Sequence, residues 1–428
     1  MSVTTLPPVA PPAAQRVKLA GPLRHRRFLL LMTGMSVSLL GDGVFLVALT
    51  WQVYLMSNAP GALSFVGIAI SGPQVLFLLL GGAVSDRMDR RRIMLASDLV
   101  RGMVLVTTGV LTVGGRLHLA DLYVLGAAYG AATAFFGPAY EAAVPDLVPA
   151  DLLVQANSLD QLARPLALAL AGPALGGWLI GAWGPGSAFL LDGGTFAFSV
   201  AMLLAMGRAP LRHGKERGTF HLGEIAEGFR FIRRHVWLWA TFTAATISYL
   251  LFMGPVEVLV PYLVKNSPGG TAGELGLIFA AGGVGALGAA LVVGHRGMPR
   301  RHITVMYLCW AIATFSVAGY GLATAGWQLM AVSLGFHALE TAGTIVWLTA
   351  KQRFVPATLL GRVSSLDWFI SISLLPLSFG LAGWAAHIVG ARTTLVAAGL
   401  LGGCVTLAFL FLPGMRSTQL PTGRLQPQ

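Results

Sequence analysis

The chain has 428 residues, of which 55% are hydrophobic and only 11% are charged. A soluble globular protein carries about 25% charged residues, so this composition excludes a soluble enzyme or binding module and indicates an integral membrane protein. The net charge of +12 is high enough to suggest a nucleic-acid partner, and the position of the basic residues along the chain decides that question.

Twelve apolar runs are each about as long as the twenty residues that a helix needs to cross a bilayer. The predicted spans cover residues 28–54, 62–84, 92–114, 119–143, 162–183, 186–206, 236–262, 273–294, 302–323, 327–349, 364–389 and 393–413. We therefore expect an all-α membrane protein with twelve transmembrane helices. Residues 28–206 are predicted to form one six-helix bundle and 236–413 a second. Residues 207–235 are a predicted cytoplasmic connector, and 1–27 and 414–428 are predicted to be disordered cytoplasmic tails.

The basic residues lie almost entirely on one side of these spans. With both termini placed in the cytoplasm, the outer turns contain only Arg116, Lys265 and Arg392 of the 29 lysines and arginines. This asymmetry follows the positive-inside rule. It predicts a multi-pass protein of the plasma or inner membrane with both termini cytoplasmic, and it accounts for the basic charge without a nucleic-acid partner.

A charged turn joins spans 2 and 3 and follows the spacing G-x-x-x-D-R-x-x-R-R. Its motif residues are Gly82, Asp86, Arg87, Arg90 and Arg91. The spacing resembles the signature loop of the major facilitator superfamily of secondary transporters, which usually has a glycine where this chain has Asp89. The resemblance implies a cytoplasmic gate in which Asp86 and Arg90 help to hold the two halves together. A basic membrane anchor is the alternative interpretation.

Further charged residues near the inner ends of spans 3 and 4 are candidates for a charge network with this loop. They are Asp98, Arg101, Glu141 and Asp146. Asp98 and Arg101 stand one turn apart on a predicted helix, a spacing at which opposite charges pair. We expect these residues to be gate partners, with local ion pairing as the alternative.

The two halves resemble copies of each other. The sequence VPADLLVQANSLD at 148–160 aligns with VPATLLGRVSSLD at 355–367, and eight of the thirteen positions match. One copy precedes span 5 and the other precedes span 11. Parallel six-helix repeats are typical of this transporter superfamily. The repeat and the loop motif together predict two pseudo-symmetric six-helix bundles.

Span 5 contains the pattern GP-x-x-GG, formed by Gly172, Pro173, Gly176 and Gly177. The pattern resembles a motif of exporters in the superfamily that work as antiporters, although the small residue that often opens the motif is replaced here by Leu168. The resemblance implies export. The alternative is close helix packing through small residues, which membrane helices commonly use.

Three acids lie within spans, where a charge costs about 2.5 to 3.5 kcal/mol even on the lenient insertion scale. They are Asp42 of span 1, Glu257 of span 7 and Glu340 of span 10. We expect Asp42 to be a proton-coupling or substrate-cation site, because loss of hydration lets a carboxyl group bind and release protons. The alternative is a structural aspartate in a helix loosened by Gly41 and Gly43. Asp192 near the outer end of span 6 is interpreted as structural.

The sequence contains no P-loop, no H-E-x-x-H and no His/Cys cluster with metal-ligand spacing. We therefore expect neither an enzyme nor an ATP-driven pump, no metal and no cofactor, with the proton motive force as the energy source. Many proton antiporters of the superfamily carry an arginine in span 4. This chain has none there, and Arg101 or Arg164 is the candidate substitute.

Several segments together resemble the branch of the superfamily that includes enterobactin exporters and macrolide-type drug efflux proteins. They are Gly41-Asp42-Gly43, the Asp86 loop, Gly254-Pro255-Val256-Glu257 and the repeated sequence. The resemblance implies a monomeric transporter that exports a small apolar or amphipathic compound by alternating access, coupled to proton entry. A dedicated siderophore or metabolite exporter and a lipid flippase are the alternatives.

Overall fold

The computed structural model describes residues 21–149, 152–207 and 229–418. A few side chains inside the helices lie outside the description: those of residues 79, 82, 83, 85–87, 154, 158, 161, 357, 358, 360–362, 365, 368 and 372. The predicted tails and connector lie mostly outside the described residues. Within the predicted N-terminal tail, however, Pro22–Arg24 form a 3-10 turn and the first helix begins at Arg26.

The helices fall into two sets. The N-terminal half contains α1 (Arg26–Met56), α2 (Pro60–Arg87), α3 (Arg90–Val113), α4 (Leu119–Leu147), α5 (Leu153–Arg164), α6 (Gly172–Trp183) and α7 (Pro185–Ala205). The C-terminal half contains α8 (Val236–Lys265), α9 (Ala272–Arg296), α10 (His302–Leu322), α11 (Gly326–Phe354), α12 (Ala357–Ser373), α13 (Leu375–Val389) and α14 (Ala391–Phe409). In the described residues twelve spans are long and apolar enough to cross a membrane, which confirms the predicted fold class.

The fifth span of each half is interrupted at the same depth. Between α5 and α6, Pro165–Ala171 form a π-helix. Between α12 and α13, the interruption is at Leu374. Leu374 aligns with Ala167 when the alignment of 148–160 with 355–367 is continued toward the C-terminus. Pro165 and Pro376 lie at these interruptions, where a residue without a backbone N–H is tolerated.

The turn between α2 and α3 is formed without a glycine. Asp89 precedes α3 with φ −62°, and its side chain accepts a hydrogen bond from the Arg91 backbone N–H at 3.0 Å. Asp is among the residues best suited to this N-cap position. The substitution of Asp89 for the usual glycine is therefore compatible with the turn. By contrast, Gly184 and Gly390 end α6 and α13 with φ of 79° and 85°, as glycine at this position allows.

The two ends of the molecule differ in how the halves meet. We call the end where α1 begins and α14 ends the terminal face, and the end with the turns 57–59 and 266–271 the distal face. Toward the distal face, buried apolar residues of both halves form one cluster, which includes Val44 of α1 and Val258 of α8. Toward the terminal face the described residues form two separate clusters, one in each half.

Polar contacts join the halves at the distal face. The Tyr54 hydroxyl donates to the Val258 carbonyl oxygen at 2.6 Å. Asn58 and Asn266 exchange two side-chain hydrogen bonds of 2.6 and 3.0 Å. Because these contacts come from the ends of α1 and α8, they close this face of the molecule.

Glycines allow the distal parts of the helices to approach across the same interface. A Cβ atom on Gly177 of α6 would lie 2.7 Å from the Ala272 carbonyl oxygen at the start of α9. A Cβ atom on Gly383 of α13 would lie 2.6 Å from Ser64 Oγ of α2. At Gly177 the opposing atom belongs to the backbone, so a side chain there would displace the opposite half, whereas at Gly383 the Ser64 side chain would have to move.

Large apolar side chains cover much of the outer surface. Leu76, Val124 and Leu322 are each at least 70% exposed. Soluble monomers rarely expose large contiguous apolar patches. The helical surface is therefore suited to contact with lipid.

Candidate functional site

A cluster of polar side chains lies in the middle of the N-terminal half. The Tyr129 hydroxyl of α4 donates a hydrogen bond to Asp42 Oδ1 of α1, with 2.5 Å between the oxygens. The Tyr129 ring stacks on Phe45, and their centroids are 4.9 Å apart. This stacking fixes the direction of the hydroxyl. Asp42 as a residue is only partly buried.

A buried ion pair lies next to Asp42. Asp98 and Arg101 of α3 are joined by 2.5 Å between Oδ1 and Nη2, and Ser199 of α7 donates to the second oxygen of Asp98 at 2.7 Å. The guanidinium carbon lies 4.6 Å from the centroid of Phe136 and 4.5 Å from that of Phe196. Asp98 is 0% exposed and Arg101 is 4% exposed. The pair is therefore removed from water and enclosed by aromatic rings.

Arg101 connects this pair to the rest of the cluster. It interacts electrostatically with Asp42 as well as with Asp98. Asp98 and Arg101 were expected among the gate partners, but they lie about 12 to 16 Å along α3 from its start at Arg90, given a rise of about 1.5 Å per residue. Their described contacts are with the centre of the half. A role in the gate stays a prediction.

Asp192 of α7 is the third acid of the cluster, and it is 0% exposed. The Thr195 hydroxyl lies 2.7 Å from the Asp192 carbonyl oxygen and 3.0 Å from Asp192 Oδ1, so its one proton is shared between them. A Cβ atom on Gly41 would overlap Asp192 Oδ1. Gly41 therefore gives Asp192 room against α1, and α1 itself continues as a helix through this position. Asp192 also interacts electrostatically with Asp42.

A second kind of acidic site occurs once in each half, toward the terminal face. Asp160 of α5 accepts a hydrogen bond from the Tyr140 hydroxyl of α4 at 3.0 Å. Asp367 of α12 accepts one from Trp347 Nε1 of α11, also at 3.0 Å. Both acids are the last residue of the repeated sequence, and both aromatic residues occupy the same position in their helices. The repeat therefore extends from the sequence to side-chain contacts.

The bases that pair with these acids differ between the halves. Arg164 comes from α5 itself and donates to Asp160 at 2.8 Å, with its side chain 39% exposed. Lys351 comes from α11 and pairs with Asp367, with its side chain only 4% exposed. The C-terminal pair is thus the more deeply buried one.

The loop arginines make contacts within the N-terminal half. Arg90 donates to Asp146 at 2.6 Å and to the Ala142 carbonyl oxygen at 2.7 Å, both on α4. Arg91 Nε donates to the Leu203 carbonyl oxygen of α7 at 2.6 Å. Arg90 and Asp146, both predicted in the gate network, are thus brought together.

The remaining gate residues are placed less completely. The side chains of Gly82, Asp86 and Arg87 lie outside the described part of the chain, although their backbone is in the last turns of α2. Glu141 is exposed and interacts electrostatically with the pair of Asp160 and Arg164. The gate itself stays a prediction.

The acids predicted in the C-terminal half do not join a cluster like that of Asp42. Glu340 of α11 is half-buried and accepts a hydrogen bond from Thr344 at 3.0 Å. It also interacts electrostatically with Tyr249 of α8. Glu257 of α8 is half-buried near Tyr320. In the described residues neither carboxylate has a salt-bridge partner.

The glycines of the span-5 pattern lie at close helix contacts. A Cβ atom on Gly172 would lie 2.7 Å from Gly43 Cα, and one on Gly176 would lie 3.0 Å from Val44 Cα, both in α1. Gly177 faces α9 across the interface between the halves, and Pro173 lies in the first turn of α6. Close packing therefore explains these residues, and the antiporter interpretation stays a prediction.

Comparison with known proteins places the chain in a family. The model of the family described as transmembrane secretion effectors matches residues 18–427. The chain belongs to this family of major facilitator superfamily transporters.

Two curated relatives of this transporter are exporters by name. It is 27% identical over 397 residues to the multidrug efflux pump Tap of Mycobacterium tuberculosis, covering 89% of this chain and 92% of Tap. It is 27% identical over 355 residues to the enterobactin exporter EntS of Shigella boydii, covering 80% of this chain and 81% of EntS.

A solved structure agrees with the architecture. A bacterial homologue of the iron transporter ferroportin, solved in an inward-facing state, matches this transporter with a TM-score of 0.66. The sequences are 16% identical over 91% of this chain and 99% of that one. At this identity the likeness concerns the fold alone.

Sequence reasoning selected Asp42, Asp98 and Arg101 of this transporter, but not their assembly into one cluster. It interpreted Asp192 as structural and did not name Tyr129. A signal for Asp192 was present: polar residues at 192, 195 and 199 recur every three to four positions in an apolar span, which places them on one face of the helix.

Proposed function

We propose that this protein is a proton-coupled exporter of small apolar or amphipathic compounds that works by alternating access. The observation that carries the proposal is the Asp42 cluster, in which the carboxyl group of Asp42 accepts a hydrogen bond from Tyr129 and lies beside a buried ion pair. Intramembrane acids of this kind mark ion and substrate pathways. The functional unit is a single chain, since one chain supplies both halves.

The orientation follows from the distribution of basic residues. We assign the terminal face to the cytoplasm, because the basic residues of the chain concentrate there. The one continuous core at the distal face and the two separate cores at the terminal face then correspond to an inward-facing conformation. Rocking of the halves about this interface exposes the centre to the outside.

The two halves have different tasks in this proposal. Asp42 binds and releases the coupling proton, and Tyr129 positions it. Glu340, which lacks a basic partner in the described residues, attracts the cationic part of a substrate, with the partly buried Tyr249 supplying apolar surface. When one proton is exchanged for a substrate without net charge, one charge moves through about 100 mV, which supplies about 2.3 kcal/mol, enough for a concentration ratio of about fiftyfold.

The relatives support export and leave two substrate classes. Similarity to the multidrug pump Tap favours a broad range of drug-like compounds. Similarity to the enterobactin exporter EntS favours a dedicated metabolite such as a siderophore. Broad specificity is the first choice, because aromatic surface beside a single acid selects by charge and size and not by detailed shape.

The test is transport by purified protein in liposomes with an acidic interior, using ethidium and erythromycin as probes. The wild type is expected to accumulate at least one probe while the pH gradient lasts. Asp42→Asn is expected to lose accumulation, because an amide does not carry a proton. Asp121→Asn, which changes an acid at the distal end of α4 of the same half, is the control and is expected to retain accumulation.

Each outcome decides a different part of the proposal. Accumulation by Asp42→Asn at the wild-type level contradicts the proton role of Asp42. No movement of either probe by the wild type contradicts broad drug export and favours a dedicated metabolite. Exchange of fluorescent phospholipid between leaflets without probe movement indicates a flippase instead.

A further inference from the structure

Asp192 is buried without the partners that an ionised carboxylate needs. Among the described residues its Oδ2 has no hydrogen-bond partner, and its Oδ1 shares the one Thr195 proton with the Asp192 carbonyl oxygen. An ionised carboxylate offers about four acceptor positions. Burying it with fewer than one full hydrogen bond is very costly, so such a group takes up a proton.

The charges around Asp192 do not compensate it. Asp42 of α1, Arg101 of α3 and Tyr129 of α4 interact electrostatically with it. Arg101 is the only cation among them, and Asp98 already holds it at 2.5 Å. The residues of α6 and the π-helix, 165–183, include no titratable side chain. Three carboxyl groups therefore share one guanidinium.

We infer that Asp192 is a second proton-carrying residue of this site, and that its Oδ2 bears a proton in the conformation described. The inference rests on the proposed proton-coupled function. Two carboxyl groups close together in a buried site do not both ionise, so Asp42 and Asp192 lose and gain protons as a pair. Gly41 makes the pair possible, because any larger residue displaces Asp192 from α1.

The protonation state is tested directly by infrared spectroscopy of the purified protein at neutral pH. A protonated carboxyl group has a carbonyl stretching band distinct from that of a carboxylate. We expect Asp192→Asn to remove one such band and Thr195→Val to shift it, because Thr195 donates to the carboxyl oxygen. Ser199→Ala is the matched control: it removes a hydroxyl one turn further along α7 that contacts Asp98, and it is expected to leave the band in place.

Two infrared results overturn the inference. If Asp192→Asn removes no carboxylic acid band, Asp192 is ionised. If that variant does not fold, an unshifted band in Thr195→Val overturns the inference in the same way, since Asp192 is intact there.

Transport separates this inference from the proposed function. We expect Asp192→Asn to lose about tenfold or more of gradient-driven ethidium accumulation relative to the wild type. Equal accumulation by both proteins overturns the carrying role, and the proton is then structural. Absence of accumulation by the wild type overturns the proposed function and the carrying role together, while the infrared band reports the protonation of Asp192 independently.

Discussion

The two halves have the same helical arrangement but different side chains at their centres. Asp42 and Phe252 occupy the same position counted from the first residue of α1 and α8, and Tyr129 and Phe336 do so in α4 and α11. In the N-terminal half these positions form a hydrogen bond. In the C-terminal half they form a contact between rings whose centroids are 5.7 Å apart. Asp192 is likewise matched in α14 by the buried Ala398.

The difference shows that the fold does not require these charges. The C-terminal half packs the same helices with phenylalanine and alanine at the matched positions. Buried ion pairs are often no more stabilising than apolar side chains of similar volume. Stability therefore does not explain the acids of the N-terminal half, which agrees with the proton role proposed above.

The largest expected effect comes from breaking the buried ion pair. Arg101→Met leaves Asp98 without its partner, and removing one member of a buried pair costs about 3 to 5 kcal/mol. We expect a large loss of folded protein, measured by melting in detergent followed by size-exclusion chromatography. The double variant Asp98→Leu/Arg101→Met makes the site resemble the apolar half, and it is expected to recover stability without recovering gradient-driven transport. If Arg101→Met alone is as stable as the wild type, the buried ion pair of Asp98 and Arg101 is contradicted.

The next prediction concerns the basic residues that pair with Asp160 and Asp367, the last residues of the repeated sequence. Lys351→Met is expected to destabilise the protein by about 3 kcal/mol, because its pair with Asp367 is buried. Arg164→Met is expected to cost about 1 kcal/mol or less, because Arg164 is 39% exposed. Melting of both variants under the same conditions gives the comparison. If Arg164→Met destabilises the protein more than Lys351→Met, exposure does not determine how much each ion pair contributes to stability.

The smallest of these effects concerns the distal interface. Gly177→Leu is expected to destabilise the contact between the two halves at the distal face by about 1 to 3 kcal/mol, because the larger side chain overpacks against α9. Gly181→Leu, one turn further along α6, meets open space and is the control. Disulfide formation between Asn58→Cys and Asn266→Cys, in a background without the two native cysteines, reports the closure. Equal cross-linking in both variants would show that Gly177 does not control it.

The sequence was sufficient to predict the helices, the internal repeat and the superfamily, because apolar length, basic asymmetry and repeated residues are all local signals. The contacts of Asp42 were not predictable in this way. They depend on the register at which α1, α4 and α7 meet, and that register is set by glycines such as Gly41. Nothing in the sequence near Gly41 indicates that Asp192 packs on it.

The sequence indicates some residues of the site but predicts a different role for them. The spacing of Asp98 and Arg101 predicts a pair near the inner end of span 3, whereas the structure places that pair about 12 to 16 Å further along α3, at about 1.5 Å per residue. Asp160 and Asp367 were visible in the repeat, whereas their hydrogen bonds to Tyr140 and Trp347 needed the neighbouring helices to be placed.

The most direct test of the account is the release of protons when ethidium binds to the purified protein in weakly buffered detergent. We expect the wild type to release protons, Asp42→Asn to bind ethidium without releasing them, and Glu340→Gln to bind ethidium more weakly while still releasing protons for each molecule bound. This result would place proton transfer in the N-terminal half and substrate attraction in the C-terminal half. Release that persists in Asp42→Asn and disappears in Glu340→Gln would contradict the account.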